Sequence, residues 1–93
     1  MKTIWKYPVT LEPYQEIEMQ KDAKILSFHK QGSRQDDEMY LWCLVRTRNP
    51  TEIRKFILMS TGEPEIPDDA EYVGTIWLMT GNYVLHLFEI GKG

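Results

Sequence analysis

Apolar and polar positions alternate along this chain in short runs broken by Gly, Pro, Asn and Asp, and a 3.6-residue period is hard to find. A period of two puts successive side chains on opposite faces of a sheet. Strands are therefore predicted over residues 3–9, 15–19, 24–30, 39–47 and 52–59, and two further runs within 71–90 flank Thr80-Gly81-Asn82 as a tight β-hairpin. Pro8 confines the first strand to an edge. Segment 51–59 also admits a helix capped by Thr51, with Ile53, Phe56 and Ile57 on one face, but its β-branched residues favour a strand. Segment 52–59 is expected to return from the Asn49-Pro50 turn as the antiparallel partner of 39–47. The fold class is thus all-β, a single domain over 1–93: a small barrel or sandwich of meander type with about seven short, mostly antiparallel strands.

Parity sharpens this. In the run from Met39, one face carries Met39, Leu41, Cys43 and Val45, and the other Tyr40, Trp42, Leu44 and Arg46. In the hairpin, Val73, Thr75, Trp77 and Met79 share one face and Tyr72, Gly74, Ile76 and Leu78 the other. The second arm sets Tyr83, Leu85 and Leu87 against Val84, His86, Phe88 and Ile90. Strands apolar on both faces need a second covering surface. With no amphipathic helix available, self-association is expected, with Trp77, Tyr83 and Phe88 holding the homo-oligomer or the core together.

Composition narrows the classes. Ninety-three residues with 42% hydrophobic and 27% charged side chains describe a soluble domain with a modest core. No run is long enough to span a bilayer, and the N-terminus lacks the apolar stretch of a signal peptide, so a cytoplasmic location is expected. A net charge of −3 argues against general nucleic-acid binding and leaves room for a local basic patch. The lone Cys43 lies in an apolar run, where a buried, inert thiol is expected.

Catalytic and metal constellations are not evident. His29 and His86 have no second ligand at metal spacing, Ser60 lacks a nucleophile elbow, and Asp68-Asp69 reads as a solvated turn. No cofactor, metal or enzymatic activity is expected. Ser60-Thr61-Gly62 is compatible with an anion-binding nest or with a plain turn in which Gly62 takes a positive φ. A turn at Asn49-Pro50 would gather Arg46, Arg48, Arg54 and Lys55, with Tyr40 and Trp42 on the face of Arg46. Guanidinium beside an aromatic ring suits a phosphorylated base. The same cations also suit edge-strand protection, and the same rings a subunit interface.

The segments Ile4-Trp-Lys-Tyr-Pro8, Ile17-Glu-Met19, Ala23-Lys-Ile-Leu-Ser27, Leu41-Trp42, Ser60-Thr-Gly-Glu-Pro64, Tyr72-Val-Gly-Thr75 and His86-Leu-Phe-Glu89 resemble a family of small phage, prophage and bacterial proteins of unknown function. The resemblance covers nearly the whole chain and departs at Gln31–Glu38 and Cys43–Arg48. It implies no catalytic residues. It implies a phage-type setting, in the host cytoplasm, where such proteins act as sponges for a nucleotide immune signal, as inhibitors of a host defence protein, or as accessory phage proteins. A small anionic nucleotide ligand bound by Arg46, Arg48, Arg54, Lys55, Tyr40, Trp42, Ser60 and Thr61 is the leading expectation. A host-protein partner is the alternative.

Overall fold

The alternating runs become strands β1 (Lys2–Val9), β2 (Tyr14–Gln20), β3 (Lys24–Gln31), β4 (Glu38–Arg46), β5 (Thr51–Ser60), β6 (Glu71–Leu78) and β7 (Tyr83–Ile90). The computed structural model describes residues 1–31, 38–78 and 83–91, all strand and connection with no helix. The predicted hairpin turn at Thr80-Gly81-Asn82, the face of Met79 and most of the predicted loop Gln31–Glu38 lie outside the described residues. Every pairing is antiparallel, in a three-stranded sheet of order β1-β4-β3 and a four-stranded sheet of order β2-β5-β7-β6.

The inner faces of these sheets make one core. Met39, Leu41, Cys43 and Val45 of β4 are buried, as parity requires, opposite Ile17, Met19, Phe56, Leu58, Ile76, Leu78 and Leu87 of the other sheet. The arrangement is a sandwich, neither a closed barrel nor a meander. The chain changes sheet between β1 and β2, β2 and β3, and β4 and β5. The expected pairing of 39–47 with 52–59 is corrected accordingly: β4 lies between β1 and β3, and β5 between β2 and β7. Both strands carry an apolar face, and stacking those faces buries more than pairing their edges would.

Two buried glutamines organise the crossings. Gln15 accepts from Thr10 N–H (2.9 Å) and donates to the carbonyls of Thr10 (3.0 Å) and Glu12 (2.9 Å), fixing the β1–β2 connection. Gln20 donates to the carbonyls of Thr47 (3.1 Å) and Asn49 (2.8 Å), and Asn49 returns a bond to the Lys21 carbonyl (2.8 Å), lacing the β2–β3 and β4–β5 turns together. Satisfying these backbone groups allows the turns to close one end of the sandwich. At one flank β3 approaches β6, where Gly74 faces Phe28 closely enough that an added Cβ would lie 3.1 Å from Phe28 Cβ.

A bulge between Tyr72 and Gly74 shifts one hairpin face. Tyr72, predicted beside Ile76, instead lies opposite Phe88 on the outer face, their rings 5.7 Å apart edge to face. No amphipathic helix was expected to cover this face, and the segment that crosses it is not helical. Both β5 and β6 run antiparallel to β7 from opposite sides, so residues 61–70 must cross β7 to join them. That crossing is on the outer face, where Thr61 Oγ1 meets His86 Nε2 at 2.8 Å.

One charged pair is inside. Arg54 Nε and Nη2 donate to the Glu89 carboxylate at 2.7 and 2.8 Å, and Arg54 Nη1 donates to the Ala23 carbonyl at 2.6 Å. Only 9% and 4% of these residues is exposed, so neither can be left alone without an uncompensated buried charge.

Two stability outcomes are expected. Arg54→Met alone should lower the unfolding free energy by about 3–5 kcal/mol, whereas Arg54→Met with Glu89→Leu should lose less than the single change, by chemical denaturation. Gly74→Val should cost about 1–3 kcal/mol in the same assay, because Phe28 is packed and has little room to yield.

Candidate functional site

The outer face of the β1-β4-β3 sheet is the best-formed candidate, and cross-strand register builds it. Directly opposed residues share a face, so β4 positions Tyr40, Trp42, Leu44 and Arg46 bring with them Pro8, Lys6, Ile4 and Lys2 of β1. From β3 they bring His29, Ser27 and Lys24. Four cations, Lys2, Lys6, Lys24 and Arg46, thus share with two aromatic rings a face that no described segment crosses.

The rings and one of the cations are already in contact. Lys6 Nζ stands 4.5 Å from the Tyr40 ring centroid and 5.7 Å from that of Trp42, and it also donates to Gln31 Oε1. The two rings lie 6.2 Å apart, tilted by 57°. Tyr40 O–H donates to Glu38 at 2.9 Å, and this bond to a carboxylate raises the phenol pKa above its ordinary value. Beside Tyr40, a groove of about 300 Å³ runs between Pro8–Leu11 and Glu38–Tyr40. The acid at this end and the cations Lys2, Lys24 and Arg46 at the other give the face a polarity.

The predicted basic cluster is divided among four places. Arg46 is exposed on this face and Arg48 is exposed in the turn that follows. Arg54 points into the sandwich and is committed to Glu89, while Lys55 is exposed on the outer face of the other sheet, opposite Glu16 and Ile90. The cluster fails because its two strands belong to different sheets. Lys2, Lys6, Lys24 and His29 were not anticipated; the parity of β1 was visible in Lys2-Thr-Ile-Trp-Lys6, but its alignment with β4 was not.

Ser60 and Thr61 also lie apart from this face. Glu63 N–H donates to the Ser60 carbonyl at 3.2 Å and Gly62 takes φ of 88°, so Ser60–Glu63 is a turn with the positive φ that glycine favours. Thr61 instead begins a hydrogen-bonded row on the opposite side of the molecule: Thr61 Oγ1 to His86 Nε2, His86 Nδ1 to Thr75 Oγ1 at 2.9 Å, and Thr75 Oγ1 to Tyr72 O–H at 2.6 Å. Of the predicted interface residues, Trp77 is exposed on this side, Phe88 is half-buried beneath Tyr72, and Tyr83 is exposed near the hairpin end on the core-facing parity.

Two further clefts, of about 460 and 280 Å³, adjoin the Arg54–Glu89 pair. The larger offers Asp22, Glu52 and Glu89 against Lys24, Arg54 and Lys55, a balance that selects neither sign of ligand. Among the described residues no cluster of His, Cys, Asp and Glu could hold a metal ion. Among the described residues no helix is long and apolar enough to cross a membrane.

Residues 1–92 match the domain of unknown function DUF7352, and the chain belongs to that family. No curated protein and no solved structure matches it.

Cys43 is fully buried at the centre of β4, and desolvation pushes its thiol up to about 11. It should therefore stay unreactive toward a thiol reagent at pH 8 in the native protein and react fully after denaturation. Because its folded value lies above the ordinary 9, the stability it contributes is complete below pH 9 and is lost as the pH rises through about 11.

Proposed function

We propose that this DUF7352 member is a non-enzymatic binding protein that takes a phosphorylated nucleotide on the outer face of its β1-β4-β3 sheet. One observation carries the reading: Tyr40 and Trp42 share with Lys2, Lys6, Lys24 and Arg46 a face that no described segment crosses, although the chain as a whole has a net charge of −3. Aromatic faces accept a base, and cations accept phosphate. Glu38 lies at the Tyr40 end, which favours the base there, as an acceptor for ring N–H groups, and the phosphates at the Lys2, Lys24 and Arg46 end. Trp42 and Arg46 are four strand residues apart, about 13 Å, so a ligand that meets both is elongated. Lys6 occupies the rings in the free protein and turns to a phosphate when a base replaces it.

A nucleotide-derived immune signal is the ligand class that fits a phage-type setting, and sequestration needs no catalytic groups. A second reading has one observation in its favour. Tyr72 and Trp77 are each more than 60% exposed on the outer face of β6, which suits a protein partner such as a host defence factor.

Thermal unfolding with a panel of cyclic and linear nucleotide messengers tests the first reading. A bound messenger at a hundredfold excess over Kd should add about 2.7 kcal/mol, a rise in Tm on the order of 10 °C. Trp42→Ala and Arg46→Ala should each weaken that ligand about 5- to 150-fold, from the stacking or charged hydrogen bond lost. No shift with any messenger, or a shift that both variants retain, rejects the reading.

A further inference from the structure

The flank opposite the β3–β6 contact is open. There β1 and β2 are edge strands of the two sheets, bridged by Tyr7 O–H, which accepts from Gln20 N–H at 3.3 Å. Trp5 faces the core side of β1 yet is 41% exposed, and Ile4 and Tyr14 on the outer sides are 57% and 49% exposed. The two edges carry opposite charge: β1 has Lys2 and Lys6 with no acid, and β2 has Glu16 and Glu18 with no base.

We propose that a second copy of this chain docks on this flank in a two-fold dimer, each β1 pairing antiparallel with the partner's β2. Charge decides between the two symmetric ways of joining open flanks. A two-fold axis that sets β1 against β1 and β2 against β2 places Lys beside Lys and Glu beside Glu, which is destabilising at directly opposed positions. An axis running along the strands instead sets β1 against β2 twice, because both edges lie on the same side of one molecule. In any register that keeps core-facing side chains inward, each junction then sets Lys2 and Lys6 on the same outer face as the partner's Glu16 and Glu18.

Lys, Glu and Pro on edges ordinarily deter pairing. Here each edge repels its own kind and attracts the other, so the arrangement excludes the unwanted dimer and permits this one. The short Thr10–Pro13 connection joins the end of β1 to the start of β2, so the two strands leave it in opposite directions, as an antiparallel junction requires. Each three-stranded sheet would continue into the partner's four-stranded one, Trp5 would gain a covering strand, and the outer face bearing Trp42 and Arg46 would stay open.

Light scattering after size exclusion tests this with charge reversal. Wild type should be a dimer at tens of micromolar. Lys2→Glu with Lys6→Glu should be monomeric, and so should Glu16→Lys with Glu18→Lys, each retaining the β-sheet circular dichroism of wild type. Mixed in equal amounts, the two variants should form a heterodimer, since both junctions regain opposite charges. A wild-type monomer, a dimer that both reversals leave intact, or folded monomeric variants that do not associate when mixed would each overturn the proposal. Nucleotide binding is read separately by thermal shift on the Glu16→Lys, Glu18→Lys variant, which keeps Lys2, Lys6, Lys24 and Arg46, so failure of either reading leaves the other testable.

Discussion

The Arg54–Glu89 pair is the interaction on which the arrangement of the two sheets turns. It spans neighbouring strands of one sheet and, through Arg54 Nη1 and the Ala23 carbonyl, holds the point where the chain passes to the other. Removing two charges from water is expensive, and their attraction roughly offsets that cost only when every donor and lone pair is matched. A well-packed apolar pair would fill the same space at similar stability, but it would not fix where the β2–β3 turn sits. The guanidinium gives that end of the sandwich a single geometry because its fork matches one carboxylate and one carbonyl at once.

The same pair explains what could and could not be read from the chain. Strand number and type were legible, because parity, Pro8 and the turn residues act locally. The core face of β4 was legible because Met39, Leu41, Cys43 and Val45 form an unmixed apolar row. On β5 each face carries one cation, Arg54 with Phe56 and Leu58, or Lys55 with Ile53, Ile57 and Met59. Parity alone does not choose between them. The choice falls to Glu89, thirty-five positions away, whose own side of β7 is otherwise Tyr83, Leu85 and Leu87. Nonlocal partners settle which face is inside, and once Arg54 is inside the expected basic cluster dissolves.

The candidate site was half visible for the same reason. Tyr40, Trp42 and Arg46 lie on one strand and their common face follows from spacing. Lys2, Lys6 and Lys24 reach it through pairings between segments that are distant in sequence, and no local signal sets that register. What the sequence showed as a parity problem, apolar residues on both faces of the hairpin, has two different solutions in the fold. Over β7 the chain covers itself with residues 61–70, tied down by Thr61 and by Asp69, which accepts from Gly91 N–H at 2.9 Å. Over β4 it leaves the rings to Lys6.

That difference assigns the two outer faces different capacities. A face shielded by its own crossover and anchored through His86, Thr75 and Tyr72 presents few free polar groups to a small ligand. A face bearing four cations repels another copy of itself and attracts negative charge. The strands of the β1-β4-β3 sheet contain five basic residues, Lys2, Lys6, Lys24, Lys30 and Arg46, against Glu38; those of the other contain Glu16, Glu18, Glu52, Glu71 and Glu89 against Arg54 and Lys55. An overall negative chain can therefore carry a positive face, because folding sorts the charges by sheet. Net charge bounds long-range attraction, but over a Debye length of roughly 8–10 Å the field on this face is local: Lys6 acts on both rings, whereas Lys2 and Arg46, four strand residues from Trp42, act only on a group that reaches them. Binding there should accordingly depend on salt through those few cations, independently of the sign of the whole molecule.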